Sequence, residues 1–93
     1  MKIRHTRRSL EDIAISIEWY EKQLQGLGLD FLECVDDALN RISKNPYLYA
    51  LHHKQFRRIL LRKFPFSVFF SIEPKEIVIH AVFDNRKNPE KLP

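Results

Sequence analysis

Four residues in the second half of the chain could together hold and cleave a phosphodiester: Arg58, Arg62, His80 and Arg86. Without a metal, that reaction needs a proton acceptor, a proton donor and cations to hold the phosphate charge. The arginines offer cations and His80 offers one acid–base group, but a second proton-transfer group is not evident. The plain structural reading sets His80 as a half-buried strand histidine bonded to a neighbour, and Arg58 and Arg62 as surface charge. The two arginines flank Leu60 on one side of a candidate strand, an arrangement that also suits a partner-facing surface.

Other chemistries find less support. There is no glycine loop to cradle a phosphate and no Gly-x-Ser-x-Gly turn. The carboxylate pairs Glu11–Asp12 and Asp36–Asp37 are helix neighbours pointing about 100° apart, which suits capping and solubility. Cys34 sits beside the apolar residues Phe31 and Val35, with no basic residue one helical turn away to lower its pKa, so it reads as a structural thiol. The adjacent His52 and His53 lack the third and fourth ligands of a zinc site and read as solvated loop residues. No metal and no cofactor are expected.

The elements that must position the first group are three antiparallel strands. They lie within Phe56 to Pro65, Phe66 to Ile72 and Glu76 to Arg86, with a turn at Glu73-Pro74-Lys75 and Arg86 where the last strand ends. Period-two alternation puts Phe66, Val68, Phe70 and Ile72 on one face, continued by Ile77, Ile79, Ala81 and Phe83. The opposite face then carries Arg58, Leu60 and Arg62, followed by Ser67, Phe69 and Ser71, and finally Val78, His80 and Val82. Phe69, Val78 and Val82 make that face too apolar to stay bare. With Arg58, Arg62 and Lys63 at its rim, it is expected to be an interface.

The first face needs a cover, and two helices are expected to supply it. The first is expected to start at Ser9 as its cap. Leu10, Ile13, Ala14, Ile17, Tyr20 and Leu24 form its stripe, leaving Ile15 and Trp19 off it. Gly26-Leu27-Gly28 turns the chain. A second helix near Asp30 carries Phe31, Val35, Ala38, Leu39 and Ile42 inward, and Asn45-Pro46 ends it. Pro46 to Gln55 reads as a loop and Lys2 to His5 as a short strand. The whole is a single α+β domain over residues 1–93: an N-terminal strand and an antiparallel two-helix hairpin packed on a three-stranded antiparallel sheet.

Charge is placed unevenly. The net charge is +4; residues 1–45 carry 7 Lys/Arg against 8 Asp/Glu, while residues 46–93 carry 9 against 4. A one-sided basic field favours nucleic acid or an acidic protein segment as partner. No apolar run approaches the roughly 20 residues of a membrane span. The lone Cys34 and the absence of an apolar leader suit the cytoplasm.

The order of several short motifs resembles toxins of the RelE/ParE superfamily of bacterial toxin–antitoxin systems. These are Leu10-Glu11-Asp12-Ile13, Trp19-Tyr20-Glu21, Gly26-Leu27-Gly28 with Phe31, and Arg41-Ile42 with Asn45-Pro46-Tyr47. Phe56-Arg57-Arg58, Phe64-Pro65-Phe66, Ile79-His80-Ala81-Val82 and Arg86 beside Asn88-Pro89 follow. The resemblance implies a small cytoplasmic toxin, as in plasmid-stabilisation systems, neutralised by a cognate antitoxin that wraps it with an extended segment. RelE-like members cut messenger RNA, often in the ribosome, and tend to carry a Tyr or His near the C-terminus. ParE-like members inhibit DNA gyrase. Nothing from Lys87 to Pro93 supplies that Tyr or His, so the resemblance favours the gyrase-directed branch. The alternatives are a RelE-like ribonuclease using His80, Arg58, Arg62 and Arg86, or a non-toxic nucleic-acid-binding module. Trp19, Arg58, Arg62, Lys63, Phe69, His80 and Arg86 are the expected target- or antitoxin-binding residues.

Overall fold

A computed structural model describes residues 1–93. The elements are β1 (Lys2–His5), α1 (Arg7–Gln23), α2 (Leu27–Lys44), β2 (Leu51–His53), β3 (Phe56–Leu60), β4 (Phe66–Ile72) and β5 (Glu76–Asp84). Short 3-10 turns occupy Pro46–Leu48 and Pro89–Lys91. The strands form one sheet in the order β1-β5-β4-β3-β2. β3, β4 and β5 are the expected antiparallel meander, and β1 lies parallel to β5 at the far edge. No helix is long and apolar enough to cross a membrane.

α1 starts two residues earlier than Ser9. Its cap is Thr6, in extended conformation, whose hydroxyl accepts from the Ser9 N–H at 3.1 Å. Ser9 is instead buried; its hydroxyl donates to the Thr6 carbonyl at 2.9 Å and lies 3.1 Å from His5 Nδ1. Both residues have the chemistry of a cap, and the nearer approach of β1 to β5 selects Thr6: the Thr6 N–H bonds the Ile79 carbonyl at 3.0 Å.

The turn between the helices depends on two glycines for different reasons. Gly26 has φ +91°, a left-handed conformation that glycine adopts without strain. Gly28 lies so close to α1 that a Cβ there would meet the Ile17 carbonyl oxygen at 2.8 Å. The Glu21 carboxylate ties the turn down, accepting from the N–H groups of Gly26 at 3.1 Å and Gly28 at 3.0 Å.

The core lies between the helix hairpin and one face of the sheet. Phe31, Val35, Ala38 and Ile42 of α2 meet Ile59, Val68, Phe70, Ile77 and Ile79 there. Tyr20, Phe31, Phe64 and Phe66 form an aromatic cluster at one end, with Phe31 and Phe66 ring centroids 4.9 Å apart in an edge-to-face arrangement. From α1, Ile13, Ile17 and Tyr20 face this core, whereas Leu10, Ala14 and Leu24, expected on the same stripe, are exposed.

Two further departures come from the sheet. Leu51–His53 pairs with β3 inside the segment expected to be a loop. Three residues are too few to show an alternation, and it is the free edge of β3 that recruits them. The second is a bulge in β5. Phe69 pairs with Ala81 but Phe70 pairs with Ile79, so His80 is the extra residue. One inserted residue reverses the faces beyond it. Val82 therefore joins the helix-side core, while Ala81 and Phe83, expected there, sit on the other face with Phe56 and Phe69.

Candidate functional site

The four residues that could form a phosphodiester site are not brought together. Arg58 stays on the outer face, half-buried, in register with Phe69 and through it with Ala81. β3 ends at Leu60, so Arg62 leaves the sheet; its guanidinium lies 3.5 Å from the Asp37 carboxylate of α2. Lys63, with φ +70°, belongs to the same turn rather than to the rim of the outer face. Arg86 is clamped on Asp84, with Nε and Nη2 each 2.9 Å from a carboxylate oxygen, and this holds Asp84 below the usual carboxylate range. Asp84 is four residues beyond His80, or roughly 13 Å at about 3.3 Å per strand residue.

His80 itself is engaged. Its Nε2 is 2.7 Å from Ser71 Oγ, and the Ser71 hydroxyl donates to the Glu73 carboxylate at 2.8 Å. With the serine proton directed at Glu73, Nε2 carries the hydrogen of the His80–Ser71 bond. The ring also meets Phe56 edge-on, with centroids 4.7 Å apart. Burial lowers the His80 pKa below its ordinary value, partly offset by the Glu73 carboxylate and reinforced by Arg4. The order Glu–Ser–His is the reverse of an activated serine, in which the imidazole would take the hydroxyl proton.

The outer face is already covered by the chain. Phe69 is only 1% exposed and Val78 is buried, while Val82 has moved to the helix-side core. The Phe83 ring lies 6.2 Å and His52 5.6 Å from that of Phe69, while Phe56 and the C-terminal Leu92 complete the cover. Phe69 is thus a second-core residue, not a bare interface residue. His53 stacks near Phe56, with centroids 6.4 Å apart, and no cluster of three metal-binding side chains includes either loop histidine. Cys34 is buried, and burial pushes its thiol pKa up, against the pull of Lys63.

A groove opens elsewhere, between α1 and the second half of β5. β1 pairs only with Glu76–Ile79, which leaves the rest of that edge of β5 without a neighbouring strand. The Asp12 carboxylate of α1 fills one rung, accepting the Val82 N–H at 3.0 Å. Burial raises the Asp12 pKa, although the Val82 N–H and Arg8 act in the other direction. Arg8 lies 3.7 Å from Asp12 and also donates to the Lys91 carbonyl, pinning the C-terminal segment against the helix.

The groove between these walls has a volume of about 770 Å³. Ile15 and Trp19, one helical turn apart, form its apolar lip at 68% and 52% exposure. Arg86, Lys87 and Lys91 line the opposite side. Of the sequence candidates, Trp19 and Arg86 meet here. Arg8, Asp12 and Ile15 complete the site. Their signal was the spacing of Arg8, Asp12, Ile15 and Trp19 at three or four residues on the flank away from the core stripe.

No family model matches this chain, and no curated protein matches it. Among solved structures, it is similar to a chain of a chromosomal ParDE TA system from P. aeruginosa, with a TM-score of 0.80. The match covers 90% of this chain and 95% of that one at 19% identity. At that identity the likeness is one of fold. The N-terminal strand, helix hairpin and five-stranded sheet are therefore the α+β fold that this chain shares with that structure.

Proposed function

We propose that the chain is the toxin of a bacterial type II toxin–antitoxin system, held inactive in the cytoplasm by a cognate antitoxin. Its action is ParE-like inhibition of DNA gyrase, exerted by binding and not by cutting RNA. The observation that carries the second half of this reading is the dispersal of the ribonuclease candidates. Arg62 is held toward α2 by Asp37, Arg86 is clamped on Asp84, and His80 donates to Ser71. Arg62 and Arg86, the cations this reading would set on the phosphate, are therefore turned away from His80, whereas general acid–base cleavage by this set requires them beside it. A RelE-like ribonuclease would have to gather these groups on binding the ribosome.

The antitoxin is assigned to the α1–β5 groove. Trp19 and Ile15 offer an apolar anchor, and Arg86, Lys87 and Lys91 surround it with positive charge. A segment with acidic and apolar residues fits this combination. Charge would speed the encounter and burial around Trp19 would set the lifetime. Arg58, on the outer sheet face, remains available to the target.

Induced expression of the chain alone is expected to arrest bacterial growth, and co-expression of the reading frame beside it is expected to restore growth. Normal growth with soluble, folded protein present at high level would remove the toxin reading.

A further inference from the structure

A second surface lies at the opposite edge of the sheet, three strands from the groove. β2 is the outermost strand, and nothing pairs with its far side. Tyr47 and Leu48 on the preceding turn are each 68% exposed, and Leu51 on β2 is 58% exposed. Leu51 stands directly opposite Arg57 in the register, and the Arg57 guanidinium carbon lies 5.4 Å from the centre of the Tyr47 ring. Arg57 also donates to the Tyr49 carbonyl at 2.7 Å, which fixes its charge over this corner.

The charge around this edge has one sign. From Ala38 to Ile72 the chain contains no Asp or Glu, while it contains seven Lys/Arg. β2 carries the usual protections of a free edge: it is three residues long, its pairing is irregular, and Lys54 stands in the hairpin turn. Those devices, and like charge on both sides, oppose pairing between two copies of this chain. They do not oppose an acidic strand. Leu48 and Leu51 offer neither a hydrogen bond nor a stacking face to a nucleotide, and the Arg57 guanidinium already stands over one face of the Tyr47 ring, so the corner favours a protein over nucleic acid.

We propose that this corner docks an extended segment of a partner protein in which carboxylates alternate with aliphatic residues. The segment adds as a strand to the outer edge of β2. Its aliphatic side chains lie on the Leu51 face with Leu48 and Tyr47, and its carboxylates, which alternate to the other face, meet Arg58, with Lys54 at the hairpin end. The surface is independent of the α1–β5 groove, so it stands or falls without the antitoxin assignment.

The test uses isotope-labelled full-length protein and a short synthetic peptide alternating glutamate and valine. Amide shifts on titration are expected to concentrate between Tyr47 and Leu60. The double variant Leu48→Ser, Leu51→Ser is expected to bind about tenfold more weakly, the effect of losing apolar burial at two exposed leucines. Both sites are on the surface, and an unchanged amide spectrum elsewhere reports that the variant is folded. The absence of shifts at millimolar peptide would overturn the proposal, as would shifts centred on Ile15 and Trp19. An equal response to a lysine–valine peptide would remove the charge argument. An equal response to a single-stranded oligonucleotide would replace the protein partner with nucleic acid.

Discussion

Phe70→Ala is expected to destabilise the fold by about 3–5 kcal/mol, the usual range for truncating a buried phenylalanine. Phe70 is 0% exposed and sits on β4, at the middle of the five-stranded sheet. It pairs with Arg57 on one side and Ile79 on the other, and the Tyr49 ring meets it edge-on, with centroids 6.3 Å apart. It is the place where the bulge in β5 changes the register, so the surrounding strands cannot slide inward to fill a void without breaking pairs on both sides. A domain of this size has a total stability of roughly 5–15 kcal/mol, so the variant should lose a large part of it. Denaturant unfolding with an unchanged slope measures this. A loss below about 1 kcal/mol, within the range of an exposed site, would contradict the packing described for the sheet.

The second large effect is expected at Trp19. Its ring stands edge-on to Tyr20, with centroids 5.0 Å apart, and its outer face is open to the groove. Tyr20 belongs to the core, so Trp19 is held in place without itself supporting the fold. Large aromatic residues at the centre of an interface commonly contribute about 2 kcal/mol or more to binding. Trp19→Ala should therefore weaken antitoxin binding by at least roughly thirtyfold. Most of this should appear as faster dissociation, because the change removes buried contact and leaves the charges that steer association. Binding kinetics against the cognate antitoxin check the expectation. Unchanged kinetics with a folded variant would move the antitoxin off the groove.

Much of the architecture was legible because it rests on local patterns. The α2 stripe of Phe31, Val35, Ala38 and Ile42, the glycine turn between the helices and the three-strand meander all follow from spacing and turn chemistry. The missing information was non-local. The bulge at His80 sits just beyond Ile79, the last β5 residue paired with β1, and no alternation of residue types announces it. That single residue sends Val82 into one core and Ala81 and Phe83 into the other. β2 forms because β3 leaves an edge beside it.

The candidate site was less legible for the same reason. Arg58 and Arg62 appeared as a pair only if β3 continued past Leu60, but the strand ends there and Asp37 draws Arg62 toward the helices. Phe69 appeared bare because its cover comes from Phe56, Phe83, His52 and Leu92, four positions spread over the second half of the chain. Trp19 and Arg86 were visible as residues without a core role. The groove that joins them depends on β1 stopping at His5, which leaves the end of β5 open to α1.

The most direct test of the central claim, a toxin that binds rather than cuts, is a paired assay with purified protein. It is expected to inhibit DNA supercoiling by gyrase while leaving messenger RNA intact in a translating extract. Cleavage of messenger RNA at defined codon positions, abolished in His80→Ala and with gyrase unaffected, would contradict it.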